Sequence, residues 1–426
     1  MKSRTDDLLA ELEWRGLIAE RSGGLEDRLR RGPVAAYIGF DASATSLHVG
    51  HLLQVFLLTH LQRAGGRPLV VIGGATGMIG DPSGKSSERR LLDDAQIATN
   101  AAAIRAQLER FLDFTPGPGE PIMLDNRDWL AAYPMLDFLR DIGKHFTVPY
   151  MLAKESVQQR LAAGMSFTEF SYMTLQAADF LHLWRERGVE VQLGGADQWG
   201  NITAGLELIR RVSGKGGEGT EPTAFALCSP LLLTRSGVKM GKSEKGAVYL
   251  DPSLTSPYEF YQYWMGDEDE LAVQHLRWLT LLPREEIDAL AAQQAARPGD
   301  RPAQHALAFD LTARVHGRAE AERQVRVAEA AFSGSGVTDP AVLDVLYDEV
   351  GGFHLTDELL AGDMLGLALA SGLFSSRGEA RRAMTQGGLS VDGQRATTPD
   401  HGVPPLVADR YLLVRAGKKR LAVGRR

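Results

Sequence analysis

The first half of the chain alternates between two hydrophobic rhythms. Short runs rich in apolar residues, VAAYIGF (34–40), PLVVIGG (68–74), PIMLD (121–125) and VEVQLGG (189–195), have the composition of buried strands. Between them, over roughly 49–64, 94–113 and 167–187, the apolar positions recur at the spacing of one helix face. Strand, helix, strand and helix in this order predict an α/β fold, a parallel sheet covered by helices. Such sheets hold ligands at the carboxyl ends of their strands. Glycines stand there after three of the four runs: Gly39, Gly73 with Gly74, and Gly194 with Gly195.

Beyond KMGKS (239–243) the strand rhythm gives way to helix-patterned sequence. The expected layout is a catalytic-type α/β domain over 1–228, a helical domain over 229–333, a linker with one short helix over 334–364, and a small α+β domain over 365–426. The N-terminal stretch MKSRTDDLLAELEWRG carries acids among its apolar positions and reads as an amphipathic helix, not a secretion signal. No apolar run approaches the roughly 20 residues of a membrane span, so no membrane partner is expected and the cytoplasm is the expected compartment. The sole cysteine, Cys228, sits in TAFALCSPLLL and reads as a buried strand residue.

With 44% hydrophobic and 24% charged residues, the composition is that of an ordinary globular protein, but its charge is unevenly placed. Residues 365–426 hold eleven Lys/Arg against four acids, a net +7, which leaves −14 for the rest of a chain whose total is −7. A basic module on an acidic body suggests a phosphate-rich partner.

Three motifs bear on chemistry. GDPSGKS (80–86) resembles a phosphate-cradling P-loop, but that motif needs a glycine five positions before Gly84, where Ile79 stands. In SLHVGH, His48 and His51 fall on neighbouring positions of a helix start, whose free N–H groups suit an anion. A zinc pair and a plain capping pair are the alternatives. KMGKS (239–243) puts Lys239 and Lys242 in a loop of small residues, either a mobile phosphate clamp or a solvated turn. Independently of these, Tyr172, Gln176 and Asp179 at i, i+4 and i+7 give one face of an otherwise apolar helix three polar groups, which a small polar ligand would satisfy.

Taken in order, YIGFDASATSLHVGH, GGATGMIGDPSGK, FTEFSYMTLQAADF, LGGADQWGNI and KMGKS resemble the bacterial tyrosyl-tRNA synthetases, class I enzymes with HIGH and KMSKS elements. SSRGEARRAMTQGGLSVDG is similar to an S4-type RNA-binding module, and the resemblance spans nearly the whole chain. It implies a Rossmann-like catalytic domain with inserted dimerisation helices, a homodimer, and ligation of tyrosine to tRNA(Tyr) through tyrosyl-adenylate, with ATP as substrate accompanied by Mg²⁺.

The resemblance also implies site residues. Asp81, Tyr172 and Gln176 would hold the tyrosine ammonium group, and Tyr37 and Asp179 its phenolic hydroxyl, with Gln192 in the same pocket. Gly39, Asp41, Ser43, Gly50, Gly195, Asp197, Gln198 and Met240 would contact ATP or the substrate carboxylate. His48, His51, Lys239, Lys242 and Ser243 would act on the phosphates, with Lys85 and Arg89 in a loop over the pyrophosphate. Arg377, Arg381, Arg382, Lys418, Lys419 and Arg420 would meet RNA. Gly195 also has a physical argument, because a ribose approaching the strand end leaves no room for a Cβ. Two residues depart from the pattern: Ser43 replaces threonine, and Gln54 replaces a small residue. Gly241 in KMGKS is a common variant. A tryptophanyl enzyme shares the fold, but an indole has no hydroxyl for Tyr37 and Asp179. A small-molecule nucleotidylyltransferase shares the HxGH chemistry but does not need the basic module.

Overall fold

A computed structural model describes residues 4–42, 44–81, 93–154, 157–158, 161, 164–214, 223–243, 246–332, 336–399, 402–417 and 420–426. The chain divides into two compact units, Met1–Thr255 with Gly266–Leu307, and Ser256–Met265 with Ala308–Arg426.

The first unit is built on six strands: β1 (Glu20–Arg21), β2 (Ala35–Phe40), β3 (Arg67–Ile72), β4 (Ile122–Asp125), β5 (Val191–Gly195) and β6 (Phe225–Ser229), in the order β1-β6-β5-β2-β3-β4. Only β1 runs antiparallel to its neighbour. All four strands expected from the apolar runs form within two residues of their expected ends. The fifth parallel strand, β6, carries Cys228, fully buried with its thiol pushed up to about 12 by burial. Around the sheet lie the helices Leu52–Arg63, Phe167–Arg187 and Trp199–Val212. The second begins at a capping box, in which the Ser166 side chain accepts from Glu169 N–H and the Glu169 side chain accepts from Ser166 N–H. It ends at Gly188, whose φ of 64° is the left-handed cap that favours glycine.

The domain boundaries differ from those expected at 228, 333 and 364. Residues 229–255 belong to the first unit because their backbone bonds back to its motif turn: Val49 N–H donates to Val248 at 2.9 Å, and Leu250 N–H to Leu47 at 2.9 Å. Within them β7 (Lys242–Ser243) and β8 (Gly246–Ala247) form a small antiparallel pair. Buried Arg15 draws the helix Asp269–Leu279 into the same unit by donating to the carbonyls of Arg277, Thr280 and Leu282 at 2.8–2.9 Å.

The expected linker is folded structure in the second unit. β9 (Gly352–His354) joins β10 (Leu389–Val391), β11 (Gln394–Arg395), β12 (Tyr411–Ala416) and β13 (Arg420–Arg425) in a sheet ordered β11-β10-β12-β13-β9. β9 pairs in parallel with β13. Val342, Leu343 and Leu346 of the helix Pro340–Glu349 share a core with Leu413 and Val423. The glycines and serine of SGSG suggested a linker, but the apolar triplet after them has a sheet to cover. Arg415, counted in the basic module, is 1% exposed and donates to the carbonyls of Ala330 and Ala331 at the end of the helix Arg318–Phe332.

Candidate active site

A cavity of about 990 Å³ opens at the carboxyl ends of β2, β3 and β5. Tyr37, Gly39, Asp41, His48, Gly50, His51, Asp81, Tyr172, Gln176, Asp179, Gln192, Gly195, Asp197, Gln198, Lys239 and Met240 all line it. Five expected site residues, Ser43, Lys85, Arg89, Lys418 and Lys419, lie outside the described residues; Lys242 and Ser243 are described by backbone alone.

At one end, the two histidines build the turn Val49–His51 that leads into the helix Leu52–Arg63. Gly50 N–H donates to His48 Nδ1, and His48 N–H donates to His51 Nδ1, each at 3.1 Å, with the rings stacked 3.9 Å apart. An Nδ1 that accepts carries no hydrogen, so each neutral imidazole bears its proton on Nε2. Capping is therefore real, and it leaves both rings in the cavity wall. A Cβ on Gly50 would sit 2.8 Å from His48 Cε1, which is why the residue between the histidines is glycine. The KMGKS segment lies against the same turn: Gly241, at φ 122°, would place a Cβ 3.4 Å from His48 Nδ1. Lys239 Nζ reaches Asp197 at 2.7 Å, on the strand-end turn after β5. A Cβ on Gly195 would come within 2.9 Å of Asp197 Oδ1 and 3.2 Å of Gln54 Nε2, so a larger residue there would push these side-chain ends aside, and Gln54 faces that strand end.

At the other end, Asp179 is 4% exposed and accepts from Asn126 Nδ2 at 2.9 Å and Trp129 Nε1 at 2.7 Å. Burial raises its carboxyl to about 7 despite those two donors. Tyr37 is buried beside it, and burial together with the charge of Asp179 holds the phenol well above its ordinary value. Among the described residues, the Tyr37 hydroxyl and Gln192 Oε1 are buried without a hydrogen-bond partner, an arrangement that a polar ligand would relieve. Asp81 accepts from Gln198 Nε2 at 2.7 Å, which ties it to the turn after β5.

Asn126 and Trp129 went unrecognised in the sequence. Asn126 Nδ2 also donates to Thr76 Oγ1 at 2.8 Å, and its Oδ1 accepts from Ala75 N–H at 2.8 Å, so one amide braces two strand ends. Its signal was position, directly after the PIMLD strand, where no glycine drew attention.

In the second unit, Arg381 and Arg382 are exposed on the helix Arg377–Thr385, and Arg420 is exposed at the start of β13. Glu379, held below the usual carboxylate range first by Ser375, also feels Arg420 and Arg382, which brings these cations to one side of the module. Arg377 is exposed but paired with Asp363.

A dinucleotide-type sheet with paired histidines at its first helix and a lysine loop folded onto them defines a class I aminoacyl-tRNA synthetase. The family model of class I tRNA synthetases for tryptophan and tyrosine matches residues 29–333, an S4 domain matches 367–405, and the chain belongs to this family. It is 48% identical to the tyrosine–tRNA ligase of Anaeromyxobacter dehalogenans over 98% of this chain and 99% of that one. It is 45% identical to the tyrosine–tRNA ligase of Porphyromonas gingivalis over 97% and 98%. Among solved structures, a C-terminally truncated mitochondrial tyrosyl-tRNA synthetase of Aspergillus nidulans superposes with a TM-score of 0.67 at 29% identity, covering 78% of this chain and 95% of that one.

Proposed function

We propose that the cavity activates tyrosine with Mg²⁺-bound ATP and passes the tyrosyl group to the 3′ end of tRNA(Tyr). The observation that carries this reading is the Tyr37 hydroxyl, without a hydrogen-bond partner among the described residues, beside a buried Asp179. A phenolic hydroxyl placed there donates to the carboxylate and accepts from Tyr37, and a side chain without that hydroxyl leaves both unpaired. Asp81, Tyr172 and Gln176 hold the ammonium end, with Gln192 in the same pocket.

The tyrosine carboxylate attacks the α-phosphorus of ATP, forming the acyl–phosphate bond as the bond to pyrophosphate breaks. No side chain need take a proton in this step, so the work is positioning and charge stabilisation. His48 and His51 supply Nε2–H donors to the phosphates. Lys239 and Lys242 follow the charge that builds on the leaving pyrophosphate, with Ser243 beside them and Lys85 and Arg89 in a separate loop over the pyrophosphate. Gly39, Asp41, Ser43, Gly50, Gly195, Asp197, Gln198 and Met240 hold the nucleotide. Mg²⁺ enters as part of the nucleotide substrate; among the described residues no group of three His, Cys, Asp or Glu is placed to bind a metal. A ribose hydroxyl of the tRNA then attacks the tyrosyl carbonyl and releases AMP.

Arg377, Arg381, Arg382, Lys418, Lys419 and Arg420 serve the RNA phosphates. A homodimer accounts for the exposed apolar side chains between β4 and β5, among them Met135 (70% exposed), Leu136 (80%) and Phe167 (71%). No helix among the described residues is long and apolar enough to cross a membrane, and the cytoplasm is the proposed compartment. ATP–pyrophosphate exchange with each of the twenty amino acids tests the reading. Tyrosine alone should support rapid exchange; equal exchange with tryptophan or phenylalanine would refute it.

A further inference from the structure

Asp179 is held by an indole that is itself held from outside the cavity. Trp129 sits on a one-turn helix, Arg127–Leu130, whose first N–H, that of Arg127, donates to Asp125 Oδ1 at 2.9 Å. The indole packs against the core cluster around Phe180, and two directed contacts orient it there. Its Nε1–H donates to Asp179 Oδ1 at 2.7 Å, and its face lies on the imidazole of His182 with centroids 4.5 Å apart and planes 9° from parallel. Asp179 and His182 are three residues apart on the helix Phe167–Arg187 and so present neighbouring side chains. One indole thus bridges two successive positions on that helix, edge to the carboxylate and face to the imidazole. Asp179 lines the cavity, whereas Trp129 and His182 are not among its lining residues.

We propose that His182 is a positioning residue for tyrosine selectivity: its ring fixes the Trp129 indole, which in turn fixes the Asp179 carboxylate that receives the substrate hydroxyl. This inference rests on the proposed role of Asp179. Asp179 has two oxygens and two protein donors, Asn126 on Oδ2 and Trp129 on Oδ1. With both engaged, the carboxylate plane is set, and the remaining lone pairs face a defined direction. An indole free to slide would let the carboxylate turn about its last bond, and the hydroxyl would meet it at a poorer angle. The effect should fall on ground-state binding of tyrosine and not on the phosphate chemistry at the far end of the cavity.

The test compares His182→Ala, His182→Leu and His182→Phe in the full-length protein by pyrophosphate exchange with tyrosine and, separately, with phenylalanine. Removing the aromatic face, by Ala or by the bulkier Leu, should raise the KM for tyrosine about fivefold, the scale of one hydrogen bond to a misaligned acceptor. The kcat for tyrosine and the weak phenylalanine-dependent exchange should stay near parental values, because phenylalanine brings no hydroxyl to Asp179. His182→Phe, which keeps a flat ring, should restore the KM. In a Trp129→Phe background, His182→Ala should add little, since the N–H it positions is already gone. Equal losses for tyrosine and phenylalanine, a parental KM in both Ala and Leu variants, or failure of Phe to restore binding would each overturn the proposal. Asp179→Asn separates the two layers. If it leaves tyrosine-over-phenylalanine discrimination intact, the reading of Asp179 itself falls; if discrimination collapses there while the His182 variants behave as parent, only the role of His182 falls.

Discussion

Asp179→Asn should make the first unit more stable at alkaline pH while spoiling tyrosine recognition. The carboxyl rises from 3.8 to about 7 on folding, because burial penalises its charged form more than its two donors favour it. Below about pH 4 the proton is held in both folded and unfolded chains, and the group is neutral in each. Between about pH 4 and 7 only the folded chain retains it, so stability falls as pH rises; above 7 the loss is complete, at about 4 kcal/mol for 1.36 kcal/mol per pH unit. Asparagine has nearly the same shape and no charge to desolvate. It offers one acceptor oxygen to two donors, Asn126 and Trp129, which costs about 1 kcal/mol. The variant should therefore be about 1 kcal/mol less stable than the parent at pH 4 and about 3 kcal/mol more stable at pH 8. Urea titrations at both pH values, reading the transition of the unit that contains Phe167–Arg187, measure the difference. A stability difference that stays constant across this range would refute the argument that burial of Asp179 is maintained against its charge.

Further perturbations address the other parts of the site and module. Tyr37→Phe removes a buried hydroxyl without a partner, so the ligand-free protein should gain about 1 kcal/mol in thermal unfolding while tyrosine binding, by calorimetry, weakens by about as much. Lys239→Ala should slow adenylate formation in single-turnover measurements with tyrosine affinity unchanged. Its half-exposed pair with Asp197 is worth under about 1 kcal/mol, so the melting temperature should barely move. Arg415→Met should destabilise the second unit by about 1–3 kcal/mol, because two buried helix-end carbonyls lose their donor, and should leave the salt dependence of tRNA binding untouched; a lowered salt slope with normal stability would make Arg415 an RNA contact. Removing residues from 365 onward should unfold more than the basic module, since Val342, Leu343 and Leu346 lose Leu413 and Val423, and hydrogen exchange over 340–354 should rise to that of an open chain.

The sheet was legible because its central strands are buried on both faces and so read as apolar runs, β3 and β5 most completely and β2 over most of its length, while β4, half-buried at the sheet's edge, shares the apolar composition. The polar stripe Tyr172, Gln176 and Asp179 was legible for a related reason, since three polar groups on an apolar helix face contradict the local pattern, and the fold brings all three to the cavity wall. Asn126 and Trp129 carried no such contradiction. An asparagine after a strand and a tryptophan one turn later are ordinary in sequence, and their role arises only from the approach of another helix fifty residues on. The unit boundaries were hidden in the same way. Arg15 looks like a surface cation in an amphipathic helix, and only the fold brings it to the carbonyls of 277–282. Arg415 and Arg425 counted toward the basic module, yet the first is buried and the second stacks on Tyr347 beside Asp344 and Asp348, so the surface offered to RNA is narrower than the charge total suggests.

The pairing of β9 with β13 has a consequence for how the protein is made. β9 ends at His354 and its partner begins at Arg420, so during synthesis the earlier strand emerges with its ladder edge open and stays so until the last strand of the sheet follows. Throughout that interval the apolar triplet of the helix before β9, packed with Val327 and Ala331, lacks the cover of Leu413 and Val423, and the segment is a target for chaperones and for mispairing with other nascent chains. A ribosome that pauses on the codons between these strands would lengthen that exposure, and a premature stop there would leave a catalytic unit carrying an adhesive stub.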